Sequence, residues 1–243
     1  MKKLTITIVA ALIALACNTS EEKSKTIAMA HPQEQNSNDG WITLFNGTDF
    51  NHWKGYLKDG MPETWSIDGD AMKFTPNGSR GNNIITKEKY TNFMLSLEWK
   101  VSEGGNSGIF WGVFEDEKFP EAYQTGPEIQ VLDNDRHPDA KAGTTHQAGA
   151  LYDMIAPNAN VCKPAGEWNT CILTVNHETN EGSVMLNGTE IVKFPVHGPE
   201  WDAMVANSKF KTWEGFGKYH TGHIGLQDHG DVVWYRNIKI KPL

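Results

Sequence analysis

Asn-Gly and Asp-Gly pairs punctuate this chain, and the apolar residues between them alternate with a period of two. Asn46-Gly47, Asp68-Gly69, Asn77-Gly78 and Asn187-Gly188 are the dipeptides that reach positive φ in tight hairpins. The alternating stretches are Trp65–Ile67, Ala71–Phe74, Phe93–Trp99, Gly108–Phe114, Thr170–Asn176, Gly182–Leu186 and Val232–Ile240. A short segment around Trp201–Phe210 is the best candidate for a helix. No repeat of fixed period is present, which argues against a propeller. Many short strands joined by turns predict an all-β chain, an antiparallel sandwich of the jelly-roll kind. With 243 residues, 39% of them hydrophobic and 9 of them Trp, there is material for one large core.

The first residues stand apart from that pattern. Lys2 and Lys3 precede an apolar run, Leu4–Ala16, that ends at Cys17. A basic start followed by a short apolar stretch and small residues is a secretion signal, too short and wrongly flanked to span a bilayer. Ala14–Cys17 resembles a bacterial lipobox, whose Cys becomes the lipidated N-terminus of the mature protein. The expectation is a lipoprotein signal peptide over 1–17, a flexible polar tether over 18–38 and a single domain over 39–243. Such a protein is held at the outer membrane, facing the periplasm or the cell surface, with the lipid anchor as its membrane contact. A net charge of -8 and the lack of a Lys/Arg stripe exclude nucleic acid as a partner. Cys162 and Cys171 can pair in an oxidising compartment, but Cys171 falls in an alternating stretch and reads as a buried thiol.

Two strands carry faces suited to binding rather than to simple solvation. In Pro127–Asn134, Ile129 and Val131 point one way and Glu128 and Gln130 the other, so a carboxyl and an amide reach one ligand. In Gly222–Gly230, Ile224 and Leu226 share a face, which leaves His223, Gln227 and His229 on the opposite one. A partly enclosed carboxyl and imidazole can be tuned for proton transfer. Asn106–Trp111 offers Asn106 to a sugar hydroxyl and Trp111 as a ring to stack on a pyranose, although alternation also sets Trp111 beside Ile109 as a core residue. In His146–Asp153, Ala148 and Ala150 share a face with Tyr152, a small-residue trough in which His146 and Tyr152 meet a ligand. The 9 His are scattered without zinc spacing, and Asp116, Asp133, Asp135 and Asp139 are loop acids that suit a divalent cation such as Ca²⁺. No metal is assigned. A phosphate-binding Gly loop and a GxSxG elbow are both missing, which removes nucleotide chemistry and serine hydrolysis.

Taken in order, Asn106–Trp111, Gly126–Asn134, Gly149–Asp153, Gly166–Asn169 and Gly222–Gly230, closing with Arg236–Ile240, resemble the motifs of the 3-keto-disaccharide hydrolase domain family. The resemblance runs from about Trp41 to Leu243. It implies a concanavalin-like lectin/glucanase sandwich in a secreted or lipid-anchored bacterial protein. It also implies cleavage of 3-keto-glycosides by 1,2-elimination and hydration of the resulting glucal. The matching positions are Glu128, Gln130, Tyr152, Gln227, His229 and Arg236. Gly112 stands where the family pattern often has Arg, and Met185 where it has Trp.

The chemistry suits these residue types. A ketone at C3 acidifies the C2 proton, the C1 aglycone leaves by β-elimination, and water adds across the double bond. That requires a base, a proton donor and a group that polarises the ketone. His229 and Glu128 are the expected pair, in either assignment. Arg236 or Gln227 would stabilise the enolate oxygen, yet strict alternation puts Arg236 with Trp234 and Ile238 on the core face, where a guanidinium needs a carboxylate partner. Two readings compete with this one. A retaining glycoside hydrolase needs a second carboxyl about 5 Å from the first, whereas this strand spaces Gln130 and Leu132 after Glu128. A non-catalytic carbohydrate-binding module would need only Trp111, Tyr152 and the polar strand faces.

Overall fold

The computed structural model describes Met1 and residues 39–243, so the rest of the expected signal peptide, with Cys17, and the expected tether lie outside the described residues. In chain order the strands are β1 Ile42–Phe45, β2 Trp53–Gly55, β3 Trp65–Asp68, β4 Ala71–Phe74, β5 Ile84–Thr86, β6 Phe93–Val101, β7 Asn106–Val113, β8 Glu128–Leu132, β9 Asn169–Asn176, β10 Glu181–Leu186, β11 Thr189–Phe194, β12 His223–Leu226 and β13 Val233–Pro242; helix α1, Gly198–Ala206, follows β11. Two antiparallel sheets form a jelly-roll sandwich. The larger runs β11-β10-β9-β6-β13-β4-β3 with β1 also paired to β13, and the smaller runs β2-β5-β12-β7-β8.

Period-two patterning builds the space between the sheets. Along β6 the side chains of Phe93, Leu95, Leu97, Trp99 and Val101 are buried and the ones between them are half-buried. Each such burial contributes about 1.5–3 kcal/mol. Ile109 and Trp111 of β7, Ile129 and Val131 of β8, and Ile224 and Leu226 of β12 join the same core from the smaller sheet. A buried polar pin crosses it. Tyr235 of β13 lies 2.7 Å from Ser107 Oγ, which donates to the carbonyl of Gln227 at 2.7 Å. That hydroxyl pair satisfies groups that would be costly to bury alone, and it ties the larger sheet to the segment that follows β12.

The turn dipeptides divide by partner. Asn187 and Gly188, at φ 50° and 85°, close the β10–β11 hairpin, and Gly69, at φ 65°, lies between β3 and β4. Asn46-Gly47 instead ends β1, whose partner is β13, and Asn77-Gly78 lies in a loop after β4. Neither makes a hairpin, because the next strand in sequence is not the next in the sheet. The expected helix around Trp201–Phe210 is also shorter and earlier. α1 stops at Ala206, and the Ser208 hydroxyl accepts from Phe210 N–H to start a separate 3-10 turn, Lys209–Thr212.

β13 departs from strict alternation. Asn237 has φ 52°, and the pairing with β6 shifts register between Arg236 and Lys239. This bulge sends Val233, Tyr235, Ile238 and Ile240 to the core and turns Trp234 and Arg236 outward. The expectation that Arg236 faces the core is thereby overturned. Among the described residues, Cys162 and Cys171 are free thiols; burial pushes the Cys171 thiol, in β9, up to about 12, and does the same for Cys162.

Candidate active site

The smaller sheet has one face in the core and another covered by loops, and the site lies on that second face. Glu128 and Gln130 point there from β8, opposite to Ile129 and Val131. Gly108 of β7 pairs with Gln130 in register, and a Cβ built on it would overlap the Glu128 carboxyl. The missing side chain lets Glu128 lie across its neighbour. Gln227 continues the β12 ladder, donating its N–H to Gly108 O at 3.0 Å, and so carries His229 onto the same face. The segment 149–152 returns along β8 as an added edge. Gly149 N–H reaches Gln130 O (2.8 Å), Gln130 N–H reaches Ala150 O (3.1 Å) and Tyr152 N–H reaches Glu128 O (3.0 Å), which brings Tyr152 over the sheet.

Together these residues line a cavity of about 580 Å³, within the range of small-molecule sites. Asn106, Glu128, Gln130, Tyr152, Gln227 and His229, all singled out in the sequence, meet here. Lys209, Phe210, Trp213, Tyr123, Arg80, Glu121 and Asp228 also line the wall and were not foreseen. Lys209 Nζ stands 3.9 Å from the centre of the Tyr152 ring.

The cavity sets the ionisation of its groups. Burial pushes the Glu128 carboxyl up to about 8, with the Lys209 charge pulling the other way and Asp139 adding to the rise. Glu128 therefore holds a proton at neutral pH. Burial lowers His229, against the neighbouring Asp231, so its imidazole is neutral under the same conditions. Its Nε2 is 3.4 Å from Asn106 Nδ2. Tyr152 is raised above the ordinary phenol range by burial and by Asp139, whose Oδ2 accepts its hydroxyl at 2.8 Å. With that proton committed, the Tyr152 oxygen offers lone pairs to a ligand. Asn106 Oδ1 and Gln227 Oε1 are buried without a protein partner, two more acceptors at the wall. Such a surface suits a polyol, whose hydroxyls are donors.

Three residues expected at the site do other work. Trp111 is a core residue, 4% exposed and 5.4 Å from the Phe194 ring, because it shares the inward face with Ile109. Arg236 lies on the outer face of the larger sheet. There its Nε is 2.8 Å from Glu98 and its Nη1 3.0 Å from Asp70, and its guanidinium stacks on Trp168 at 4.1 Å. The carboxylate partner required by a semi-buried guanidinium exists, but away from the cavity. His146 stands behind Tyr152, ring centres 4.7 Å apart, and does not line the wall.

His137, His229 and Asp231 place nitrogen and carboxylate atoms within 4.8 Å of one another. His137 Nδ1, however, accepts the backbone N–H of Asp139 at 3.1 Å. That spends its lone pair and leaves the proton on Nε2, so the trio as arranged offers one imidazole and one carboxylate rather than three ligands. Three of the four loop acids are likewise engaged. Asp133 accepts from the N–H groups of Gly104, Asp135 and Arg136, Asp116 from Lys118, and Asp139 from His146 and Tyr152.

Comparison with known proteins places this geometry in context. Residues 40–241 match the model of the 3-keto-alpha-glucoside-1,2-lyase-like domain. A Bacteroides thetaiotaomicron protein named 3-keto-disaccharide hydrolase is 40% identical over 233 residues, covering 84% of this chain and 79% of its own length. A crystal structure from Parabacteroides distasonis, provisionally described as a glycosyl hydrolase, superposes with a TM-score of 0.77 at 29% identity, over 84% of this chain and 94% of that one. Another from the same organism, described in the same way, gives a TM-score of 0.60 at 27% identity over 84% of each chain.

Proposed function

On the premise that the chain belongs to the 3-keto-alpha-glucoside-1,2-lyase-like domain family, we propose that it cleaves the glycosidic bond of 3-keto-glycosides by elimination and hydration. The observation that carries the reading is the opposed tuning of Glu128 and His229 on one cavity wall: a carboxyl raised to about 8 and an imidazole lowered from its ordinary value. Two groups pushed in opposite directions divide the roles of acid and base.

His229, neutral, takes the C2 proton that the C3 ketone has acidified. The Lys209 ammonium, which replaces Arg236 in this role, polarises the ketone oxygen and stabilises the enolate. Glu128 gives its proton to the departing glycosidic oxygen as the C1–O bond breaks. The enone that remains accepts water at C1, deprotonated by the Glu128 carboxylate, while the protonated His229 returns a proton to C2. The sum is one water consumed, one alcohol and one 3-keto sugar released. Asn106, Tyr152 and Gln227 accept hydrogen bonds from the sugar hydroxyls, and Gln130 lies beside Glu128 on the strand.

The test is a parallel incubation with a glucoside and its 3-keto derivative, following aglycone release and enone absorbance. Release from the keto sugar alone supports elimination. Release from the plain glucoside points to an ordinary glycoside hydrolase, and release from neither, with sugar binding retained, to a binding module. We also propose that the protein is an outer-membrane lipoprotein attached through Cys17, a reading supported by Lys2, Lys3 and the apolar run that precedes it.

A further inference from the structure

We infer that His146 is a positioning residue that sets the separation of Tyr152 and Lys209 from behind the cavity wall; the inference rests on the functional reading above. His146 Nδ1 is 2.7 Å from Asp139 Oδ1, and its Nε2 is 3.0 Å from Asp153 Oδ1. The second oxygen of each carboxylate reaches the site. Asp139 Oδ2 accepts the Tyr152 hydroxyl at 2.8 Å and faces Gln130 Nε2 at 3.5 Å. Asp153 Oδ2 accepts the backbone N–H of Lys209 at 2.7 Å, at the first residue of the 3-10 turn that carries the ammonium.

One ring thus links two carboxylates, one holding the Tyr152 hydroxyl and the other the backbone N–H of Lys209, in different segments. Carboxylate oxygens only accept, so a neutral ring donates to one of the two acids and the imidazolium to both, and the two ring nitrogens lie on separate edges. A side-chain amide carries its N–H groups on a single nitrogen and cannot span the two acids in the same way. Asp153 also has φ 60°, a conformation uncommon for a residue with a Cβ, and its N–H is tied to Thr145 O at 3.0 Å. From that turn one Asp153 oxygen faces His146 Nε2 and the other accepts the Lys209 N–H.

The experiment is a set of double-mutant cycles on 3-keto-glucoside turnover, with His146→Gln, Lys209→Ala, Tyr152→Phe and their pairs. His146→Gln is expected to lower kcat by about 100-fold, the scale set by misplacement of a reacting group, with a smaller change in KM. The His146→Gln/Lys209→Ala pair, and the His146→Gln/Tyr152→Phe pair, should each lose less than the product of the two single losses, because part of the effect of His146 passes through each partner. Asp153→Asn should repeat the pattern and serves if His146→Gln does not fold. Hydrogen exchange at the Lys209 amide gives a readout independent of turnover: slow in the parent, faster in either variant. Additive losses, an unchanged kcat, or unchanged exchange would overturn the assignment. A parent protein without turnover but with the exchange pattern intact would count against the proposed reaction and not against the clamp.

Discussion

Glu128 sits on a strand face that water scarcely reaches, and the nearby Lys209 charge offsets only part of that burial. If it is the acid and His229 the base, kcat/KM should be bell-shaped in pH, with an upper limb near 8 and a lower limb below the usual 6.5 of His. Glu128→Gln should cost about 10²–10⁴ in kcat, the range for losing a general acid, and erase the upper limb. The same variant bears on stability. The folded carboxyl titrates above its unfolded value of 4.5, so the native state holds the extra proton and stability falls as pH rises from 4.5 toward 8. Thermal denaturation should therefore show Glu128→Gln melting above the parent at pH 8 and level with it near pH 4. Glu128 and Gln130 were legible in the sequence because alternation alone fixes which side of a strand they occupy. Alternation also placed Trp111 with Ile109, and that bland reading, not sugar stacking, is the one the packing realises. Lys209, in a single 3-10 turn, and Arg80, in a loop, left no such trace, since segments that short have no periodicity to betray where a cation points.

Elements decide how those side chains meet. The Glu128 side chain lies across β7 because Gly108 lacks a Cβ, so Gly108→Ala should keep the sheet yet displace the carboxyl. Assays of that variant should show activity lost well before thermal stability, whereas equal loss of both would mean that the close approach is merely structural. The bulge at Asn237 is the element-scale reason that Arg236 leaves the core face, and one extra residue in a strand is invisible to period-two reading. Away from the cavity, His177 packs against His220 and His197, ring centres 4.2 and 6.0 Å away, with neither of its nitrogens partnered. Burial, then the neighbouring imidazoles, lower it to about 4. Its stabilising neutral form is fully effective above the unfolded value of 6.5 and is lost as pH falls toward 4. These rings join the turn after β9, the link into α1 and the loop before β12. The slope of melting temperature against pH between 6.5 and 4 should be shallower in His177→Phe than in the parent; an unchanged slope would remove the triad from acid sensitivity.

At the scale of the molecule, the sandwich follows from alternation and tight turns, and the sequence is sufficient to infer it. Sheet order is not, because β13 pairs with β1, β4 and β6, partners distant in the chain that no local pattern names. The cavity inherits this non-locality. β7, β8 and the segment after β12 supply its floor, and the segment after α1 supplies Lys209, Phe210 and Trp213. For the cellular placement, Cys17→Ala should abolish incorporation of labelled palmitate and release the protein from membranes, and labelling that persists would remove the anchor from the account. The central claim is that this wall of opposed acid and base acts on a ketone-activated sugar. Its most direct test is to incubate purified protein with a glucoside and with the matching 3-keto-glucoside while recording aglycone release and enone absorbance. Rapid release from the keto sugar, none from the glucoside, and loss of both signals in His229→Ala would bear the claim out. Equal release from both sugars, or full activity in His229→Ala, would contradict it.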